Sequence, residues 1–551
     1  GRFYVNPYAN MLSSYQETRA NKLNISLNLN QKFDFLTEGL SLSALINFNN
    51  WSQNYYSRYL TPFLYSVDPA SISEDIPGQY SLTKLQEGTK YISQTGVTRN
   101  SDNTFYFDAR LNYQRSFGKH NVSAMLMYMM REYINSVLPQ RNQGLSGRVT
   151  YDYANRYLAE FNFGYNGTER IEAGSRYEFF PAMSAGWVTS NEKFWSGISN
   201  VWNYLKVRAS FGLVGSDETG LAAGAPHYLY LSDVNMYGGG QFHSGYDGSF
   251  TKNGPIINSY PVQDAHWERA SEFDLGVDMR FFDQLNITVD WFKNKRDRIL
   301  MRRASFPSVL GYQNAIPWAN VGKVDNTGLE LSLNWTKTFQ RDWTIDARFN
   351  YSYSRNKYVY VDEPDYPYIW QTRTGKPLSS TYGYVAEGLF RDEAEIKASP
   401  DQSLFGSTIM PGDIKYRDIN GDGSITSEDQ IMLSPYGNMP RIQYGFGLSM
   451  QWKNLDLSVF FNGSAKRTIM ISGVSPFCAN DSNDNNLMQW IADSHWSEGA
   501  DNTGVLYPRL GTLTTQVTNN TQPSSFWMRN GNFLRFKTLE LGYRFKWFRL
   551  Y

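Results

Sequence analysis

The chain has 551 residues with 52 acidic against 52 basic side chains, which excludes the basic excess of a nucleic-acid binder and any acidic tail. Aromatic residues make up 16% of it, with 39 Tyr and 15 Trp, yet the mean hydropathy is −0.50. Length alone suggests several soluble domains, but no run nears the ~18–20 apolar residues of a membrane helix, and the lone Cys478 excludes an internal disulfide.

In chain order the predicted elements are strands. Within residues 21–31, Leu23, Ile25, Leu27 and Leu29 alternate with Asn24, Ser26, Asn28 and Asn30. Leu40, Leu42, Ala44, Ile46 and Phe48 repeat the pattern, as do Phe105, Phe107, Ala109, Leu111 and Tyr113, then Val122, Ala124, Leu126, Tyr128 and Met130. Alternation over about ten residues predicts a strand with one apolar and one polar face. Further strands are expected at 149–153, 157–165, 182–188, 205–213, 273–281, 285–291, 329–335, 343–353, 444–452, 455–461 and 539–545, roughly fifteen in all.

Short links at 37–39, 118–120, 155–156, 283–284, 340–342 and 453–454 take turns with long ones at 52–103, 215–269, 298–326, 357–441 and 464–532. Three middling links, 132–144, 166–181 and 189–203, fit the same order. Loops beyond ~15 residues are uncommon in a compact soluble domain. A membrane β-barrel has tight turns on one side and long loops on the other by construction. Lipid cannot hydrogen-bond a peptide group, so a sheet spanning it must leave no edge unpaired. Tyr and Trp near strand ends then form interfacial girdles, which accounts for the aromatic excess. The expected fold is all-β, a transmembrane antiparallel β-barrel with long extracellular loops. A soluble sandwich or propeller is the alternative, and it predicts shorter, evenly spaced strands.

Within 357–441, read as one long extracellular loop, residues 418–429 (D-I-N-G-D-G-S-I-T-S-E-D) follow the EF-hand spacing. Asp418, Asn420 and Asp422 take positions one, three and five, Gly423 the sharp turn at six, and Ser424 a backbone carbonyl at seven. Asp429 stands at twelve where Glu is usual, and Glu428 comes one place early. The expected ion is Ca²⁺, with Mg²⁺ the lesser alternative, in a static clamp rather than a sensor. An Asp/Asn/Gly turn that needs no ion is the competing reading.

For substrate or lid contact the candidates are Tyr366, Tyr368, Trp370 and Arg373, with Tyr55, Tyr56 and Tyr59 in N-Y-Y-S-R-Y, all placed in long links. These rings suit stacking on sugars or gripping a peptide, or packing one loop on another. The five histidines, His120, His227, His243, His266 and His495, have no ligand spacing, and no G-x-S-x-G or P-loop is present, so no enzyme is expected.

Several segments carry a family resemblance. They are F-F-P-A-M-S-A-G-W-V-T-S-N-E-K-F-W (179–195), L-K-V-R-A-S-F-G-L-V-G-S-D-E (205–218) and W-E-R-A-S-E-F-D-L-G-V-D-M-R-F-F (267–282). N-V-G-K-V-D-N-T-G-L-E-L-S-L-N-W (320–335), Y-G-Y-V-A-E-G-L-F-R-D-E-A-E-I (382–396), P-G-D-I-K-Y-R-D-I-N-G-D-G (411–423) and F-L-R-F-K-T-L-E-L-G-Y-R-F (533–545) complete the set. Together, and in this order, they resemble the SusC/RagA-like TonB-dependent transporters of the Bacteroidota outer membrane. The resemblance implies a barrel of 22 strands, of which roughly 15–17 are represented here, filled by a plug that this sequence lacks. It also implies energising by TonB–ExbB–ExbD, a SusD-like surface lipoprotein as a hinged lid, and import of oligosaccharide or peptide. Strand parity is consistent with five further strands upstream and with a strand beginning at 548–551. A passive porin, and TonB-dependent uptake of another ligand such as a metal chelate, are the alternatives.

Overall fold

The computed structural model describes residues 7–72, 76, 78–218, 227–306, 309, 315–339, 342–471, 488–511 and 516–545. Cys478 and the expected strand start at 548–551 lie outside them. Fifteen long strands follow one another: β1 Ser14–Lys32, β2 Leu40–Tyr59, β3 Thr98–Phe117, β4 His120–Ile134 and β5 Gln140–Tyr153. Then come β6 Tyr157–Thr168, β7 Tyr177–Val188, β8 Trp202–Ser216, β9 Glu268–Phe281 and β10 Leu285–Arg302. The last five are β11 Trp318–Phe339, β12 Trp343–Tyr360, β13 Ile442–Trp452, β14 Leu455–Ala465 and β15 Phe533–Tyr543. Each neighbours the next in chain order, and the two-residue strand Ser93–Gln94 pairs with β2 to complete a sixteen-stranded sheet.

The chain falls into two compact units. The first is Gly1–Arg115, Ser123–Arg148 and Gly164–Glu169, and the second is Ser116–Val122, Val149–Phe163 and Arg170–Tyr551. In the first, β1 and β2 pair from Ser14↔Tyr59 to Lys32↔Ser41. Leu23, Ile25, Leu27 and Leu29 share one face of β1 and stand 50–63% exposed. In the second, Met183, Phe211, Leu275, Trp291, Leu329, Phe446, Leu448 and Leu541 are likewise exposed on the apolar faces of their strands. A soluble sheet hides such a face against a second layer. Here the large apolar side chains stand exposed along their strands, as a face turned to hydrocarbon requires.

Every expected strand is present, and most are longer than the alternation suggested. The added residues lie mainly at the long-link ends. In β2, Ser52, Gln53 and Asn54 pair with Ser101, Asn100 and Arg99 of β3. Beyond the apolar band both faces are wet, so the ladder continues while its period-two signal disappears. N-Y-Y-S-R-Y therefore belongs to β2 and not to a long link. The long link placed at 357–441 starts at 361, because β12 runs to Tyr360, and the last strand ends at Tyr543 rather than 545.

The short turns use left-handed backbone. Gly118 has φ +62°, while Ala154 and Asn155 stand at 55° and 54°, and Phe282 and Asp283 at 54° and 53°. Two successive positive φ angles match the right-handed twist of the strands they join. Alanine has no side-chain compensation there, so Ala154→Gly is expected to stabilise the chain by about 1 kcal/mol. A raised midpoint of thermal unfolding in detergent is the check, and an unchanged or lowered one contradicts the strain.

The long links are folded rather than irregular. Ile171, Phe180, Leu229, Val262, Ala265, Trp267, Leu300 and Trp318 form one buried cluster that joins links 169–176 and 217–267 to Phe180 of β7 and to the strand ends at Leu300 and Trp318. The Trp267 indole meets Phe180 edge-on at 5.5 Å and donates to the Arg176 carbonyl at 2.9 Å. A second cluster, Tyr384, Ile414, Tyr416, Ile425, Ile491, Tyr507 and Trp527, unites link 361–441 with link 466–532. Small antiparallel pairs frame it: Thr381–Gly383 with Ile431–Ser434, Ala386–Leu389 with Ile414–Tyr416, and Thr468–Met470 with Met528–Asn530.

Candidate functional site

Residues 418–429 curl as their sequence requires, with Gly421 at φ +78° and Gly423 at +86°. Asp418 accepts the Gly421 N–H at 2.6 Å through one carboxylate oxygen and the Gly423 N–H at 2.8 Å through the other. Asp422 accepts from the Ser424 N–H at 2.8 Å, and Asn420 Oδ1 from the Asp422 N–H at 3.1 Å. Asp429 is fully buried and gathers the N–H groups of Ile419, Asn420 and Thr426 at 2.8, 3.3 and 2.7 Å. Ile425 is also fully buried, and its N–H donates to the Asp401 carbonyl at 2.7 Å, tying the turn to the chain ahead of it.

The carboxylates of Asp418, Asp422 and Asp429 are thus engaged by backbone N–H groups of the turn, and a neutral amide stands between Asp422 and Glu428. Asn420 Nδ2 lies 2.9 Å from an Asp422 oxygen and 3.3 Å from a Glu428 oxygen, bridging two carboxylates as a cation would. Among the described residues no group of three or more His, Cys, Asp or Glu side chains is arranged to hold a metal. A hard cation would fit only with the Asn420 amide turned so that its oxygen faces inward.

Around the turn lies a buried polar network that the sequence reading did not assign. Asp413 is fully buried and forms a two-point ion pair with Arg509, Nε to Oδ1 at 3.0 Å and a terminal nitrogen to Oδ2 at 3.2 Å. The Asn520 side-chain amide and the Met410 N–H, at 2.8 and 2.9 Å, supply its remaining hydrogen bonds. Asn519 and Asn520 act as a strand partner for the backbone of Ile414: Asn519 Nδ2 donates to the Ile414 carbonyl at 2.9 Å and Asn520 Oδ1 accepts the Ile414 N–H at 2.9 Å. Tyr416 is buried, which pushes its phenol well above the usual range, and its O–H donates to the Asn519 carbonyl at 2.7 Å. Both Asp413 and Tyr416 lie in P-G-D-I-K-Y-R-D; the motif was visible, but its partners lie more than 90 residues downstream.

The aromatic candidates separate. Tyr368 and Trp370 stack face to face, centroids 4.5 Å apart and planes within 8°. The Trp370 N–H donates to the Glu428 carbonyl at 2.8 Å, so this pair packs against the 418–429 turn. Arg373 sits over the Tyr382 ring at 5.9 Å, with Lys376 at 5.5 Å, and Tyr366 is exposed. On β2, Tyr56 shares the face of Ile46 and Phe48, and its O–H donates to the Glu17 carboxylate, while Tyr55 and Tyr59 lie on the opposite face. The structure therefore gathers Tyr368, Trp370 and the ion-loop residues, and leaves Tyr55, Tyr56 and Tyr59 in another unit.

The polar face carries one charged constellation that alternation alone could not assemble. Arg208 of β8 reaches Asp274 and Asp278 of β9 at 3.1 and 3.3 Å and Asp290 of β10 at 2.5 Å. Gly276 lies between them in register. A Cβ there would fall 2.4 Å from both the guanidinium carbon and an Asp290 oxygen, so only glycine lets the side chain cross to the second strand.

Comparison with known proteins agrees with this geometry. Residues 2–551 match the family described as TonB dependent receptor-like, beta-barrel. TonB-dependent receptor P3 of Formosa agariphila is 24% identical over 90% of this chain and 51% of its own length. TonB-dependent receptor SusC of Bacteroides thetaiotaomicron is 24% identical over 73% of this chain and 37% of its own. The chain thus spans about half the length, or less, of these curated relatives. The solved structure of the RagAB peptide transporter superposes with a TM-score of 0.68 at 18% identity, covering 97% of this chain and 56% of that one, a likeness of fold. No helix among the described residues is long and apolar enough to cross a membrane, whereas the strands expose an apolar face as outer-membrane barrels do. With SusC among its relatives and RagAB sharing its fold, the chain belongs to the TonB dependent receptor-like β-barrel family of the outer membrane.

Proposed function

We propose that this chain is the barrel portion of an active importer of large nutrients. Substrate, oligosaccharide in preference to peptide, is trapped between the extracellular links and a SusD-like surface lipoprotein. TonB–ExbB–ExbD then drives release into the polar interior of the barrel. The observation that carries the reading is the joint folding of links 361–441 and 466–532 around one core. Such a platform suits a swinging lid, because a hinge needs a fixed base. A passive porin needs no such platform. Detergent extraction from native outer membranes is the test: an equimolar lipoprotein carrying bound oligosaccharide, with uptake abolished by loss of TonB, is expected. Steady ion conductance without partner or TonB contradicts it.

In this reading the 418–429 turn is a static clamp that takes Ca²⁺. Asp418, Asn420, Asp422, Asp429 and the Ser424 carbonyl would hold the ion, which would add rigidity to a loop already closed by its own hydrogen bonds. Chelation is expected to raise protease cleavage within 361–441, calcium to reverse it, and Asp418→Ala with Asp422→Ala to mimic it. Equal cleavage with and without chelator removes the ion from the account.

A further inference from the structure

We propose that link 189–201 is a lipid-docking wedge, lying in the headgroup zone of the periplasmic leaflet and inserting Phe194 among glycerophospholipids beside Trp187. The inference rests on the outer-membrane placement of the sheet.

The link is anomalous for its side. Its counterparts 118–119, 154–156, 282–284 and 453–454 are tight turns and 33–39 has seven residues, whereas this one spends thirteen, mostly on two consecutive 3-10 helices, Thr189–Asn191 and Lys193–Gly197. It is firmly held. Asn191 Nδ2 donates to the Asn155 carbonyl at 2.6 Å, and the Trp195 indole N–H to the Trp202 carbonyl at 2.7 Å. The Trp195 ring is buried edge-on against Trp202 at 4.9 Å, and Trp202 in turn stacks on Phe281 at 5.1 Å.

A rigid link facing water has no reason to display apolar side chains. This one leaves Phe194 67% exposed, with Ile198 and Val201 also exposed. Phe194 meets Trp187 edge-on at 6.5 Å, and Trp187 ends the apolar row Phe179, Met183, Trp187 of β7. The wedge is therefore continuous with the lipid-facing band, and that continuity makes a phospholipid leaflet its occupant.

The polar atoms mark the depth. Tyr157 and Trp187, each on the apolar face of its strand, turn their polar tips to one carboxylate oxygen of Glu192, O–H at 2.7 Å and N–H at 3.3 Å. Arg156 lies 3.5 Å from the other oxygen, and Lys193 is exposed next to Phe194. Rings with apolar bodies and wet tips, converging on a charged group, are what the hydrocarbon–headgroup boundary selects. Arg156 and Lys193 offer cations to lipid phosphates.

The test places an environment-sensitive fluorophore at Phe194→Cys, with Cys478→Ser, in nanodiscs of phosphatidylethanolamine and phosphatidylglycerol. Identical labels at Met183 and Asn155 serve as lipid-facing and turn references. At 194, quenching by lipids carrying a doxyl group near the headgroup is expected to exceed that at 155 several-fold, and aqueous iodide to quench far less. Iodide quenching equal to that at 155 overturns the wedge, as does protection seen only in native envelopes, which would assign the surface to a protein. Failure at 183 as well would instead overturn the membrane placement. Phe194→Asp supplies the second readout: a lowered unfolding midpoint in nanodiscs, with Phe194→Leu unchanged, supports the wedge, and no difference between the two contradicts it.

Discussion

Replacing Arg509 with alanine is expected to release the final long link from the one before it while leaving the strands intact. Asp413 is fully buried, and its Arg509 partner, 16% exposed, covers it from solvent. Removing the guanidinium leaves a buried carboxylate with two neutral donors, a change that costs up to about 3 kcal/mol because water can enter where the arginine stood. The loss falls on a module whose strands are three or four residues long, so cleavage within 361–441 and 466–532 should rise together. Replacing both partners by apolar residues, Asp413→Leu with Arg509→Met, should cost less than Arg509→Ala alone, because no buried charge then remains. Limited proteolysis of folded protein gives the comparison. Cleavage in one link without the other would show that the two do not form one body.

Leu448→Arg and Ser449→Arg should differ sharply although the positions adjoin. Leu448 lies mid-way along β13 on the apolar face and is exposed, so arginine there would stand in hydrocarbon, at a cost of about 2–4 kcal/mol near the bilayer centre. Ser449 points the other way, and in register it stands opposite Asp346 of β12, a partner for the new guanidinium. Denaturant titrations in lipid vesicles should therefore show a large loss of stability for the first variant and little for the second. Equal losses would mean that the two faces do not see different solvents.

The strands were readable because lipid on one side and water on the other impose a period of two, as Leu205, Val207, Ala209, Phe211 and Leu213 do on β8. The same physics hid their ends. Where Ser52–Asn54 meets Arg99–Ser101 no contrast remains, and Tyr55, Tyr56 and Tyr59 read as loop. Of the candidate site, the curl of 418–429 was legible because its side chains bond to its own backbone within a few residues. Asp413, Tyr416, Arg509, Asn519 and Asn520 were not, since their meaning lies in contacts across two links. Gly276 likewise gains its role only when three strands are set in register.

Spin labels placed singly from Leu205 to Phe211 of β8, in the chain reconstituted into bilayers, test the account most directly. Odd-numbered positions should be open to oxygen and closed to a water-soluble nickel chelate, and even-numbered positions, Arg208 among them, the reverse. Accessibility that does not alternate, or odd positions buried from both probes, would contradict a single sheet with lipid on one face and water on the other.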